Sequence, residues 1–141
     1  MKLVVRVIEA NLSPTEVDGF SNPYVTIRLG RQRVKSKVVK KSLNPKWDEE
    51  FNFMVDDLNE KLQFLVLSAD KHSSDDFLGH LHVPLSLVYE EELKYLGTAW
   101  YSLLPKGEKY EKKELGMLYL ARLYTSFASK HTHNCYLQVL G

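Results

Sequence analysis

The chain has 141 residues, 44% of them hydrophobic, which suits one domain with an apolar core that needs neither disulfides nor a structural metal. Its 19 Lys and Arg against 18 Asp and Glu leave a formal charge of +1, so composition excludes a global attraction to nucleic acid and makes any basic function local. The single cysteine, Cys135, has no internal partner and fits a reducing compartment. No apolar run is long enough to cross a bilayer, and the first apolar run lacks the flanks of a signal peptide. These features predict a cytoplasmic chain whose membrane contact is peripheral and reversible.

Taken in order, the dominant period is two. Lys2 to Glu9 alternates Leu3, Val5 and Val7 with Val4, Arg6 and Ile8 and predicts a strand. A long loop rich in turn formers, Asn11 to Asn22, leads to Pro23. Tyr24 to Leu29 and Gln32 to Val39 predict a hairpin around Gly30-Arg31. After the Asn44-Pro45 turn come strands over Glu50 to Val55 and Leu62 to Ser68, divided by Asp56-Asp57. Ala69 to Asp76 is a polar connection, and Leu78 to Val83 is a short strand. Pro84 or Ser86 then starts one short crossover helix, with Leu85, Val88 and Leu93 facing inward and Glu90, Glu91 and Glu92 solvated. Thr98 to Leu103 and Gly116 to Thr125 are the last strands, separated by the charged loop Lys106 to Glu114. Eight short strands at this spacing predict an all-β, two-sheet antiparallel sandwich over residues 1–125. Residues 126–141 form a C-terminal extension, polar and then apolar, which reads either as a fragment of a linker or as an extra edge strand.

One stretch stands out by charge. Arg33, Lys35 and Lys37 alternate with Val34, Ser36 and Val38, so a continuous strand places all three cations on one face. Arg28 joins them across the hairpin, and Lys40, Lys41 and Lys46 extend the field. Such a row also guards an edge strand against aggregation. From Gly30 to Lys46, however, no acid interrupts the cations, which solubility alone does not require.

Three motifs carry a family resemblance. VDGFSNPYV at Val17 to Val25, KSLNPKWDEEFNF at Lys41 to Phe53 and DDFLG at Asp75 to Gly79 occur in the order and at the separations that resemble the C2 domain. GMLYLARLY comes last rather than first, which resembles the phospholipase and plant (type II) permutation of that sandwich. MKLVVRVIEA, VVKKSLNPKWDEEF and LGTAWYSL look in particular like the amino-terminal C2 region of plant proteins that also carry a GRAM domain, which implies a piece of a larger protein.

The resemblance implies binding sites. The family's phosphoinositide-binding lysines fall on Lys35 and Lys37, which implies anionic phospholipid, phosphatidylserine or phosphoinositide, as the partner. Its five calcium-ligating acids fall on Glu16, Asn22, Ser68, Asp70 and Asp76, of which only the last two are the family's carboxylate unchanged. Calcium needs six to eight oxygens, several of them charged, so the implied metal set of Glu16, Asn22, Asp70 and Asp76 is degenerate. No cofactor is required, and calcium dependence is expected to be weak or absent. Asp70 and Asp76 equally suit turn-capping roles, while Asn22 suits an Asx-turn closing the loop before Pro23 and Glu16 an ordinary solvated loop acid better than a metal role. Trp47, Phe51, Tyr24 and Phe77 read as core anchors.

Nothing points to catalysis: there is no ordered nucleophile triad, glycine-rich phosphate loop or paired-cysteine motif. HTHNC supplies His131, His133 and Cys135 but no fourth zinc ligand nearby. The sequence therefore predicts a binding module that is not an enzyme and does not bind nucleic acid. The alternative is a protein–protein interaction module without intrinsic lipid binding.

Overall fold

A computed structural model describes residues 2–13, 21–86, 99–105, 115–120 and 124–126. Its strands are β1 (Lys2–Leu12), β2 (Pro23–Leu29), β3 (Gln32–Lys35), β4 (Lys46–Met54), β5 (Lys61–Ser68), β6 (Asp76–Pro84), β7 (Ala99–Ser102), β8 (Gly116–Leu120) and β9 (Tyr124–Ser126). One sheet has the order β4-β1-β8-β7, with β9 also on β1, and the other has the order β3-β2-β5-β6. All pairings are antiparallel. This is the expected all-β sandwich.

The core lies between the sheets because each strand turns its apolar alternate positions inward. Val25, Ile27 and Leu29 of β2 and Leu62, Phe64 and Val66 of β5 meet Leu3, Val5 and Val7 of β1 and Phe53 of β4, all fully buried. Each such side chain contributes about 1.5–3 kcal/mol relative to exposure. In β1 the register slips between Val7 and Glu9. Val7 and Ile8 are both buried, and Ala10 and Leu12 continue the inward set on even positions. A bulge lets one strand change parity and remain in the core throughout. That explains why β1 runs on to Leu12, past the Glu9 at which alternation ends in the sequence.

The β2–β3 hairpin turns on two residues. Gly30 has φ 58, the first-position geometry that a type II′ turn assigns to glycine. β6 has its own bulge, between Phe77 and Gly79. A Cβ on Gly79 would lie 2.7 Å from Leu103 Cβ, so close packing of β6 against the 103–105 segment needs glycine there.

Several boundaries differ from expectation. β3 ends at Lys35 rather than Val39, because Ser36 turns inward: its buried hydroxyl accepts the Val25 N–H and donates to the Lys37 carbonyl. β4 starts at Lys46, opposite Glu9, because the Glu9 backbone offers it a ladder partner that alternation does not reveal. The region expected to form one strand over Gly116 to Thr125 contains β8 and β9, with 121–123 outside the described residues; both pair with β1, so the described strands number nine instead of eight. The crossover helix falls on residues of which only 84–86 are described; Leu85 there is fully buried. The loop over Lys106 to Glu114 and the extension beyond Ser126, with His131, His133 and Cys135, lie outside the described residues.

The two edge strands on one side, β3 and β4, are laced by side chains. The Gln32 amide donates to the Met54 carbonyl at 2.6 Å and accepts the Met54 N–H at 2.7 Å. Beyond the end of β3, the Lys37 N–H donates to Glu49 Oε2 at 2.9 Å. Edge backbone groups are thereby satisfied without another strand.

Candidate functional site

The outward side of the β3-β2-β5-β6 sheet gathers the cations. Tyr24, Thr26 and Arg28 alternate with the buried inward positions of β2, and Arg33 and Lys35 share their side from β3. Arg28 stands directly opposite Arg33, and Lys35 opposite Thr26. Like charges placed directly opposite on neighbouring strands oppose folding, so this pair is not explained by the stability of the sheet. Arg28 Nε donates to the Gly30 carbonyl at 3.1 Å, which orients the guanidinium at the hairpin end. Across β5 and β6 the same side presents Lys61, Gln63, Leu65, Leu67, Phe77, His80 and His82. Among the described residues, no outward position of these strands from Tyr24 to Arg28, Arg33 to Lys35, Lys61 to Leu67 or Phe77 to Pro84 carries a carboxylate.

The seven expected cations do not form one row. Arg28, Arg33 and Lys35 come together. Lys37 is exposed and lies past the end of β3, where the Ser36 hydroxyl takes the Val25 N–H, and its own amide donates to Glu49 of the other sheet. Lys40 and Lys41 occupy an exposed turn, where Lys41 has φ 51 and its amide donates to Asn22 Oδ1 at 2.9 Å. Lys46 opens β4 on the other sheet, with Nζ 4.0 Å from Glu9 Oε2. Arg28, Arg33 and Lys35 are exposed.

Tyr24 links this face to the connection between β5 and β6. Lys35 Nζ lies 4.5 Å from the Tyr24 ring centroid, a cation–π contact, and the Tyr24 hydroxyl donates to Asp75 Oδ2. Asp75 Oδ1 accepts the Asp70 N–H at 3.0 Å. Burial, and then the hydrogen bond to Asp75, push the Tyr24 phenol up to about 12. The same bond, followed by the Asp70 amide, holds the Asp75 carboxyl below its usual range. Trp47 is buried in the core as expected and Phe51 packs against that core, whereas Tyr24, though buried, lies on the outward side of β2 and Phe77 is half-buried on the same side. Nothing in the sequence pattern signalled that Asp75 would hold the Tyr24 hydroxyl.

The residues implied for calcium have other partners. Glu16 lies outside the described residues. The Asn22 amide accepts from Lys41 and donates to the Ala69 carbonyl at 3.3 Å, while its backbone N–H donates to Ser68 Oγ at 3.0 Å. It staples the start of β2 to the end of β5. Asp70 Oδ1 accepts the His72 N–H at 2.8 Å and Oδ2 accepts the Ser73 hydroxyl at 2.7 Å; these bonds lower its pKa, the His72 amide foremost. Asp70 thus caps its own turn. Asp76 is exposed and opens β6 opposite Ser68. Among the described residues, no three His, Cys, Asp or Glu side chains gather as a metal ion requires. The described part of this donor set, a neutral amide and a buried hydroxyl with the carboxylates of Asp70 and Asp76, does not fit the charge that calcium asks of a site.

Comparison with known proteins follows the same lines. A family model described as C2 domain matches residues 1–103. A C2 and GRAM domain-containing protein of Arabidopsis thaliana is 54% identical over 121 residues, covering 85% of this chain. The chain spans 12% of that protein's length. The paired C2 domains of extended synaptotagmin 2 superpose with a TM-score of 0.72 at 32% identity, covering 87% of this chain and 40% of theirs. A calcium-bound form of the same domains gives 0.71 at 30% identity, covering 87% and 44%.

Proposed function

This chain belongs to the C2 domain family, and we propose that it is a peripheral membrane-targeting module whose outward β3-β2-β5-β6 face binds anionic phospholipid, phosphatidylserine or phosphoinositide. The observation that carries this reading is the direct opposition of Arg28 and Arg33, with Lys35 beside them and no carboxylate among the described outward positions. Each cation at an anionic leaflet contributes about 1 kcal/mol, so three support reversible docking. Lys37, Lys40 and Lys41 flank the face and add attraction at longer range, within a Debye length of about 8 Å at physiological salt. Lys46 belongs to the other sheet and contributes least.

Calcium contributes little, because Asn22, Ser68 and Asp70 are engaged in holding loops together. The module binds, and carries no catalysis of its own. It occupies residues 1–125, with 126–141 as an extension, and resides in the cytoplasm between episodes at the membrane. Cosedimentation with phosphatidylserine-containing and purely zwitterionic vesicles, each in chelator and in calcium, tests this. Binding to the anionic vesicles in chelator, weakened by salt, is the expected result. Binding only in calcium would return the role to the implied metal residues, Glu16, Asn22, Asp70 and Asp76, and no binding to either vesicle would favour a protein–protein interaction module instead.

A further inference from the structure

The cationic face does not stop at β2. The cross-strand register places Arg33, Arg28, Gln63 and His82 in one line across β3, β2, β5 and β6. All four are exposed or half-exposed at the sheet surface. At about 4.8 Å per strand the line is about 14 Å long, a span over which one flat anionic surface meets every member. Gln63 contributes an uncharged amide donor, and His82 closes the line. Resting on the reading of this face as a docking surface, we propose that His82 is a direct contact for phosphate-bearing lipid headgroups, taking up a proton as it binds, so that membrane docking strengthens in mild acid.

The surroundings of His82 give it this property. Its ring meets that of His80 edge-on, with centroids 4.8 Å apart. His80 is tied elsewhere: its Nε2 lies 2.9 Å from the Pro105 carbonyl oxygen, which can only accept, so Nε2 carries the hydrogen. Its Nδ1 is enclosed without a hydrogen-bond partner among the described residues. His80 therefore belongs to the seam between β6 and the 103–105 segment, and His82 is the exposed member of the pair. Among the described residues, the charged and titratable groups around His82 are Lys61 on β5, Arg28 one strand further and His80 on its own strand. The 103–105 segment supplies no titratable side chain. The acid beside this end of the sheet, Glu60, directs its carboxylate at Gly30 in the hairpin. Burial, then His80 and Lys61, hold His82 below the ordinary histidine value. An anionic phosphate brought against it favours the charged form and so works against this depression.

The test uses vesicles containing phosphatidylglycerol, whose phosphodiester keeps one charge between about pH 7.5 and about pH 5.5, so only the protein titrates in the range natural to histidine. One additional cation at the surface corresponds to about a fivefold tightening. The native chain is expected to bind about fivefold more tightly at the lower pH in chelator, and His82→Gln to lose that ratio. His82→Lys, charged throughout, is expected to bind at the higher pH about as the native chain does at the lower. A ratio that survives in His82→Gln, or native binding that is indifferent to pH, overturns the inference while leaving the Arg28, Arg33 and Lys35 face intact. Inorganic phosphate added at the lower pH separates free anion from membrane: competition by millimolar phosphate that abolishes binding would overturn headgroup docking in favour of a small-anion site. Absence of binding at both pH values overturns the docking face and this contact together.

Discussion

The ammonium of Lys35 sits over the ring of Tyr24, 4.5 Å from its centroid, while the hydroxyl of that ring holds Asp75. One buried tyrosine thus orients a cation of the outward β3-β2-β5-β6 face and anchors the connection that follows β5. The family resemblance assigns that connection to metal; here the carboxylates of Asp70 and Asp75 bond the protein's own amides and hydroxyls, and that of Asp76 is exposed.

Alkaline titration exposes this link. The Tyr24 phenol, raised from 10.0 to about 12, keeps its proton in the folded chain after the unfolded chain has lost its own. The stabilisation is complete below pH 10 and is lost as pH rises from there toward 12. Urea midpoints measured across this range are expected to fall for the native chain and to fall less steeply for Tyr24→Phe. On the acid side the sign reverses. Asp70 and Asp75, both lowered, stabilise the fold above the unfolded value of 3.8 and lose that contribution as pH falls through their folded values.

Ser36→Ala tests why β3 is short. The hydroxyl is the acceptor for the buried Val25 N–H at 2.8 Å, and its removal leaves that donor unpaired at a cost of about 1–3 kcal/mol. Chemical denaturation is expected to show a loss in that range. Ser36→Thr, which retains an acceptor, is expected to lose less.

The core of the fold was legible in the sequence because burial follows a period of two: Leu3, Val5 and Val7, and Leu62, Phe64 and Val66, face inward where alternation places them. The hairpin at Gly30 was legible for the same kind of local reason, a glycine where φ is positive. The parity change at Ile8 and the pairing of the Val25 N–H with the Ser36 hydroxyl were not. Both depend on partners distant in sequence, and a serine in an alternating run gives no sign that its hydroxyl will replace a ladder hydrogen bond. That is why Lys37 reads as a member of the cationic strand and lies instead beside Glu49. Arg28 and Arg33 were legible as a pair because a two-residue turn fixes their register.

Asn22→Asp tests the calcium assignment from the other direction. It restores a carboxylate at an implied metal position but sets it against the Ala69 carbonyl, to which the native amide donates. In chelator the variant is expected to be less stable by about 1–2 kcal/mol. Calcium is expected to restore little of this, because Asp70 is already engaged and Ser68 brings no charge. A thermal melt that rises in calcium to or above the native value would mean that the loops form a working site.

The central claim, that docking proceeds through the opposed arginines and without calcium, is tested most directly by titrating phosphatidylserine vesicles in chelator with the native chain, Arg28→Gln/Arg33→Gln and Asp70→Asn/Asp76→Asn. At about 1 kcal/mol for each cation removed, the arginine pair is expected to weaken binding about thirtyfold, and the aspartate pair to leave it within about twofold. An arginine variant that binds as the native chain does, or an aspartate variant that no longer binds, would contradict the account.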